Sequence, residues 1–128
     1  MRAQLVIDGL MKGLNDWRDV IHRSPHAGND MAHSAKKRIT ALAREQRLPR
    51  FEGPVVVTFD WYEPNLRRDL DNVAGTGQKW VLDGLVAAGV LPDDNMGHVV
   101  GLTHWAHIDP MEPGAIVTIT DEIPDKEE

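Results

Sequence analysis

Short apolar or alternating segments occur at four places in the chain, each bounded by glycine, proline or other turn residues. Segments with this pattern predict β-strands. They cover residues 4–7, 55–59, 98–107 and 115–120. The second is the clearest, because a run of β-branched residues follows Pro54 directly. The pattern therefore predicts a small β-sheet.

Two longer segments place apolar residues at helical spacing. The first covers residues 30–47, where Asp30 is the expected N-cap and Pro49 stops the helix. The second covers residues 70–88. Its residues 75–77 are poor helix formers, so we expect this helix to be kinked or to begin late.

The remaining segments complete the predicted architecture. Residues 13–30 mix glycine, proline, histidine and charge, which indicates a long irregular or partly helical segment, and the polar residues 121–128 form an expected frayed acidic tail. No repeat or linker divides the 128 residues, a length typical of one domain. We therefore predict a single α+β domain over residues 1–128, with two main helices packed on one face of a small mixed sheet.

The composition excludes several classes of protein. Cysteine is absent, which excludes disulfide scaffolds, cysteine-bound zinc and thiol chemistry. No stretch approaches the ~18 apolar residues of a membrane span. Asp8 and Lys12 interrupt the apolar N-terminal stretch, so it does not resemble a secretory signal. We therefore expect a cytoplasmic protein with no membrane partner.

Charge is distributed unevenly along the chain, although the net charge is −6. Residues 1–50 carry ten lysines and arginines against five acids, whereas residues 51–128 carry four against fifteen. A basic half beside an acidic half is compatible with a cationic surface next to a metal-binding acidic cluster.

Acidic residues flank the second predicted helix. Asp69 and Asp71 precede or open it, and Asp93 and Asp94 follow the turn at its end. If the loops bring these groups together, their carboxylates suit Mg²⁺, which prefers oxygen ligands and can activate water for phosphate chemistry. The same residues also suit simpler roles, because aspartate is common at helix N-termini and in turns.

Basic residues lie beside these acids. Arg67 and Arg68 directly precede Asp69, and guanidinium groups bind phosphate oxygens in pairs. The run of Lys36, Lys37 and Arg38 on the first predicted helix is a solvated face or, in a DNA enzyme, a phosphate contact.

The run RRDLDNVAGTGQKWVLDGLVAAGVLPDDN, residues 67–95, resembles the signature of RusA-type Holliday-junction resolvases, particularly their phage and prophage branch. The matching elements are, in order, Arg67-Arg68, Asp69-Leu70-Asp71-Asn72, Lys79, Asp83-Gly84-Leu85, Ala88-Gly89-Val90 and Asp93-Asp94. Outside this run the likeness extends to length and element order, with Asn15 as a candidate counterpart of an early asparagine in the family.

The resemblance implies a homodimeric endodeoxyribonuclease that nicks four-way DNA junctions symmetrically and requires Mg²⁺, for which Mn²⁺ can substitute. It implies that Asp69 and Asp71 are metal ligands and catalytic residues. The resemblance implies Asp94 as the third ligand, because it follows Asp83 by eleven residues as the catalytic acid of the family follows its matching aspartate, and Asp93 is the alternative. It also implies recombination and repair as the setting.

Lys79 matches the catalytic lysine of the family by lying four residues before Asp83. The best-known members instead place that lysine four residues after the second aspartate, where this chain has Gly75. On a regular helix, Lys79 lies about 80° around the axis from Asp71. The alternatives to a resolvase are a nuclease that cuts flaps, forks or other branched DNA with looser preference, and a catalytically inert junction-binding protein.

Overall fold

The computed structural model describes residues 1–124, and in them buried side chains alternate regularly along each central strand. The elements are β1 (Arg2–Asp8), α1 (Leu14–Arg23), α2 (Pro25–Glu45), β2 (Val55–Glu63), α3 (Leu70–Ala87), β3 (Val99–Ile108) and β4 (Gly114–Thr120). Every odd-numbered residue of β2 is buried and every even-numbered one is half-buried. One face of the sheet therefore carries the core.

The strands form one mixed sheet in the order β1-β4-β2-β3. Strand β4 pairs antiparallel with both β1 and β2, and β3 pairs parallel with β2. The register aligns Leu5 with Val117 and Val117 with Phe59, so the buried residues share one face. Parallel strands need a long crossover, and α3 supplies it between β2 and β3. The prediction of an α+β domain with a small mixed sheet is confirmed.

Helices α2 and α3 supply the residues that pack on this apolar face, among them Ile39, Val81 and Leu85. Helix α3 runs unbroken from Leu70, so the expected late start is wrong. Its glycines permit close contact: a Cβ at Gly77 would lie 2.4 Å from the Trp61 ring, and one at Gly84 would lie 2.5 Å from Ile39. Close packing thus explains residues that look unfavourable for a helix.

The segment 13–30 is more ordered than expected. Of the two expected alternatives, irregular or partly helical, the structure shows the helical one: the segment contains α1, which packs on α2 and α3. Helix α2 begins at Pro25, not at Asp30, because the Ser24 hydroxyl accepts a hydrogen bond from the Ala27 amide and proline suits the first helical turn. The helix ends at Glu45, two residues earlier than expected.

The predicted tail is anchored at its start. The Asp121 carboxylate lies 2.6 Å from the N-terminal ammonium of Met1, and the backbone amide of Asp121 donates to the Met1 carbonyl. The prediction of a frayed tail concerns mainly the residues after Asp121, and residues 125–128 lie outside the described part of the chain.

Candidate active site

Asp69 and Asp71 lie at the N-terminus of α3, and both are exposed. Asp69 occupies the N-cap position, where its carbonyl accepts the amides of Asn72 and Val73. Within residues 1–124, however, its carboxylate makes no capping hydrogen bond. The side chain is thus available for another partner, and the helix dipole stabilises its negative charge.

The N-terminus of α3 is fixed against the loop that leads into α1. Three side chains hold this loop: Arg68 donates to the Met11 carbonyl, Thr76 donates to the Lys12 carbonyl, and the Asn72 side-chain oxygen accepts the Asn15 amide. The distances lie between 2.7 and 2.9 Å. This loop therefore brings Lys12 and Asn15 close to the two acids.

Arg68 and Glu63 form a two-pronged ion pair between the end of β2 and the start of α3. The Arg68 Nε and Nη2 atoms lie 2.7 and 2.9 Å from the two Glu63 carboxylate oxygens. Glu63 is nearly buried and Arg68 is mostly buried. The sequence predicts that Arg68 contacts a phosphate, but its guanidinium donates to Glu63 and to the Met11 carbonyl inside the protein. Arg67, in contrast, is exposed.

Lys79 bridges two acids on the side of α3. Its Nζ atom lies 3.0 Å from Asp83 and 3.1 Å from Asp94. The hydrogen bonds that Lys79 donates to Asp83 and then to Asp94 raise the pKa of Lys79, and the bond to Asp94 lowers the pKa of Asp94. Asp94 is therefore held as a carboxylate beside a cation.

Asp93 has a different environment from Asp94. One of its carboxylate oxygens accepts the Asp94 amide at 2.7 Å, and the other accepts the Asn95 side chain at 3.0 Å. Both oxygens are thus used inside the turn that follows α3, and a turn role explains Asp93.

The predicted carboxylates do not converge on one point. Lys79, which holds Asp94, follows Asp71 by eight residues, or about 12 Å along a helix axis. Within the described residues, no group of three or more histidine or acidic side chains is arranged to hold a metal ion. Mg²⁺ often binds one or two carboxylates and keeps its waters. The pair of Asp69 and Asp71 fits that chemistry, whereas the expected three-carboxylate set does not assemble in this arrangement.

The basic run on α2 divides between two sides of the helix. Lys36 lines a groove of about 280 Å³ with Lys79, Asp83 and Asp94. It also lines an adjoining groove of about 320 Å³ between α2 and α3, whose other basic residues are His33, Lys37 and Arg44. Arg38 instead donates to the Asp8 carbonyl at the end of β1.

Comparison with known proteins gives no family. A scan of the sequence against protein families found no match, and a search of the curated proteins found no significant relative. Within residues 1–124, no helix is both long and apolar enough to cross a membrane.

Three residues at this site were missed in the sequence. Glu63 looks like an ordinary strand end, and its pairing with Arg68 depends on the sharp return of the chain between β2 and α3. Arg44 and Asn72 each had a signal: Arg44 lies two helical turns after Lys37, on the same face, and Asn72 immediately follows the second aspartate.

Proposed function

We propose that this chain is a Mg²⁺-dependent, structure-specific endodeoxyribonuclease that resolves four-way DNA junctions by symmetric nicking. The observation that carries the proposal is the ordered run of residues 67–95, in which the acids, the lysine and the closing acidic pair follow one another as in RusA-type resolvases. The carboxylate of Asp69, which is exposed beside Asp71 and makes no capping hydrogen bond within residues 1–124, supports the proposal.

In this proposal Asp69 and Asp71 hold the ion. When bound, Mg²⁺ would activate water and stabilise the leaving oxygen of a phosphodiester. The loop fixed by Asn72 packs against the helix end that carries the two aspartates, and Arg67 offers an exposed guanidinium beside them. Lys79 and Asp94 form a charged pair farther along α3, where the ammonium is available to a phosphate that reaches it.

The α2–α3 groove provides a path for the DNA backbone. Lys36 and Lys37 line it, and Lys36 also faces the groove that contains Lys79. Cationic side chains along a groove bind phosphates without reading sequence. In this proposal a chain with a net charge of −6 binds DNA through this groove, because Lys36 and Lys37 present positive charge along it.

The test compares Asp71→Asn with Asp19→Asn, a matched change on the exposed surface of α1. Asp71→Asn removes one ligand charge, so cleavage of a synthetic four-way junction in Mg²⁺ should fall at least ~100-fold while junction binding persists or tightens. Asp69→Asn should behave likewise, and Asp19→Asn should cleave normally. Near-normal cleavage by Asp71→Asn would refute the metal assignment.

The third ligand is tested by Asp94→Asn and Asp93→Asn. We expect Asp94→Asn to lower cleavage strongly, because the Asp94 carboxylate accepts a hydrogen bond from Lys79. Asp93→Asn should have the smaller effect, because the Asp93 carboxylate bonds within the turn after α3. A larger loss with Asp93→Asn, at unchanged thermal stability, would reverse this assignment.

The alternatives are separated by substrate. Four-way, flap and linear duplex DNA are compared in Mg²⁺ and in EDTA. Cleavage of the four-way junction alone in Mg²⁺ supports the resolvase, and comparable cleavage of flaps supports a broader branched-DNA nuclease. Junction binding without cleavage in Mg²⁺ or Mn²⁺ would identify an inert binding protein.

A further inference from the structure

Strand β3 forms one edge of the sheet and lacks the charged residues and proline that usually protect an edge. Exposed edge strands are normally blocked by charges, proline, bulges in mid-strand or a covering element. The sequence of β3, VVGLTHWAHI, contains no lysine, arginine, acid or proline. Its one irregularity lies at the first residues, opposite Val55 and Val56.

The hydrogen-bonding direction along β3 is fixed by its pairing with β2. The amide of Asp109, just after the strand, donates to the Glu63 carbonyl at 2.8 Å. Because backbone groups alternate in direction along a strand, the odd-numbered residues from 101 to 109 face β2 and the even-numbered ones face outward. Leu102, His104, Ala106 and Ile108 therefore point their amides and carbonyls away from the sheet.

Apolar side chains accompany these outward backbone groups. Leu102 is 42% exposed, Ile108 is 50% exposed and Trp105 is 59% exposed. A groove of about 420 Å³ lies at the start of the strand, lined by Met96, Val99, Val100, Gly101 and Leu102. An exposed apolar strand edge of this kind marks an interaction surface.

The opposite edge of the sheet differs in each respect. Strand β1 carries Arg2 and Asp8. The side-chain amide of Gln46 also binds the backbone of Val6 in this strand, accepting the Val6 amide at 2.9 Å and donating to the Val6 carbonyl at 2.8 Å. Only β3, among the described strands, thus presents an open edge.

We propose that β3 pairs antiparallel with β3 of a second copy, about a two-fold axis at His104, to form a continuous eight-stranded sheet. Antiparallel pairing matches outward residues with outward residues, as this register requires. The surface is argued from the strand alone, but the proposal also rests on the proposed function, because symmetric nicking requires two copies of the site.

The side chains of β3 are self-complementary about His104. On the helix-covered face, the register places Leu102 opposite Ala106 of the second copy. On the open face it places small residues opposite large ones, Thr103 against Trp105 and Gly101 against His107. The strand contributes no formal charge, so a chain of net charge −6 associates here without like-charge contacts across the strands.

This arrangement places Gln78 and Lys79 of the two copies near the axis. The Gln78 side-chain oxygen lies 2.6 Å from Nε2 of His104, which connects α3 to β3. Lys79 follows Gln78 directly. The two α3 helices would therefore flank the two-fold axis, on the same side of the extended sheet.

Cross-linking tests the register in a chain with no native cysteine. Directly opposed hydrogen-bonded residues have Cα atoms about 5.5 Å apart, within disulfide range. Leu102→Cys/Ala106→Cys should therefore give a covalent dimer in most molecules after mild oxidation. Either single variant should remain uncross-linked, because neither residue faces itself. Residues 102 and 106 of one strand are about 13 Å apart and cannot bridge internally. Failure of the double variant to cross-link would overturn the register.

Light scattering tests the surface. The unaltered chain should be a dimer at ~10 μM, and Leu102→Lys should weaken association at least tenfold with an unchanged circular dichroism spectrum. Val6→Lys, which also introduces a lysine but in β1 at the opposite edge, should remain dimeric. A monomeric native chain, or a dimer that Leu102→Lys leaves intact, overturns the proposal.

Junction cleavage is measured separately on the same samples. A monomeric chain that still nicks junctions overturns the β3 interface while the proposed function stands. A β3 dimer that never cleaves DNA supports the interface and refutes the function.

Discussion

Arg67 and Arg68 are sequence neighbours with the same side chain and opposite environments. Arg68 holds Glu63 with two hydrogen bonds and reaches the Met11 carbonyl with a third. The adjacent guanidinium is exposed. Arg68 therefore stabilises the junction of β2, α3 and the N-terminal loop, whereas Arg67 is exposed to solvent.

We expect Arg68→Ala to lower the free energy of unfolding by about 3 kcal/mol, because it leaves the Glu63 carboxylate buried without its partner. Arg67→Ala is the matched control and should stay within about 0.5 kcal/mol of the native chain. Urea unfolding measures both. Equal stability of the two variants would contradict the structural role of Arg68.

His104 is held in one neutral form. The Trp61 indole N–H donates to its Nδ1 atom at 2.9 Å, so the ring proton must lie on Nε2, facing the Gln78 oxygen. Burial lowers the pKa of His104 from its ordinary value. Protonation would replace the acceptor that Trp61 needs with a donor.

Acidification below pH ~6.5 should therefore destabilise the fold through His104, because the unfolded chain takes up this proton first. Above that pH both states are neutral and the effect vanishes. We expect the fall in Tm between pH 7 and pH 5 to be smaller in His104→Asn, which keeps an acceptor for Trp61 but does not titrate in this range. Thermal unfolding at both pH values decides it, and an identical fall in the two proteins would count against this account.

At the scale of elements, α3 depends on how closely it approaches its neighbours. A Cβ at Gly77 would meet the rigid Trp61 ring at 2.4 Å, whereas one at Gly75 would meet the flexible Leu14 side chain at 3.1 Å. The same substitution should therefore have different effects two residues apart.

We expect Gly77→Ala to destabilise the protein by about 1–3 kcal/mol, because overpacking outweighs the better helix propensity of alanine. Gly75→Ala should change stability by less than about 0.5 kcal/mol, since Leu14 can move and the propensity gain compensates. Chemical denaturation of both variants gives the comparison. A Gly77→Ala protein as stable as the native chain would show that α3 can shift away from Trp61.

Local pattern predicted the elements whose signals are local. The run of β-branched residues after Pro54 predicts strand β2. The strand runs on to Glu63, beyond the predicted residue 59. Asp60 and Glu63 occupy strand positions because each has an ion-pair partner, His107 and Arg68 respectively. The true start of α2 was missed because Asp30 and Ser24 both suit an N-cap, and Pro25 decides between them.

The geometry of the site depends on contacts that sequence spacing does not encode. The four-residue spacing of Lys79 and Asp83 predicts their ion pair, but the position of Asp94 depends on the turn that Asp93 and Asn95 build. Likewise, adjacent residues of α2 face different sides, so the run of Lys36, Lys37 and Arg38 is not one surface.

For the whole molecule, the different environments of Lys36, Lys37 and Arg38 predict that these residues contribute unequally to the salt dependence of DNA binding. Each phosphate neutralised on B-form DNA contributes about 0.9 to the slope of log K against log salt. Lys36→Gln/Lys37→Gln should weaken junction binding and reduce the slope by up to about 1.8. Arg38→Gln, whose native side chain binds the Asp8 carbonyl, should leave the slope unchanged. Binding titrations at several salt concentrations measure it, and equal flattening by both variants would place all three residues on the DNA.

The hydrogen bonds between the Gln46 side chain and the Val6 backbone limit how many copies can join the sheet. A sheet with two open edges adds copies without end and forms filaments, whereas one open edge allows a single partner and then closes. In this chain the Gln46 side-chain amide occupies both backbone groups of Val6, through which a further copy would pair. The distinction between a finite assembly and a fibre thus depends on a glutamine at the end of α2, far in sequence from the strand it protects.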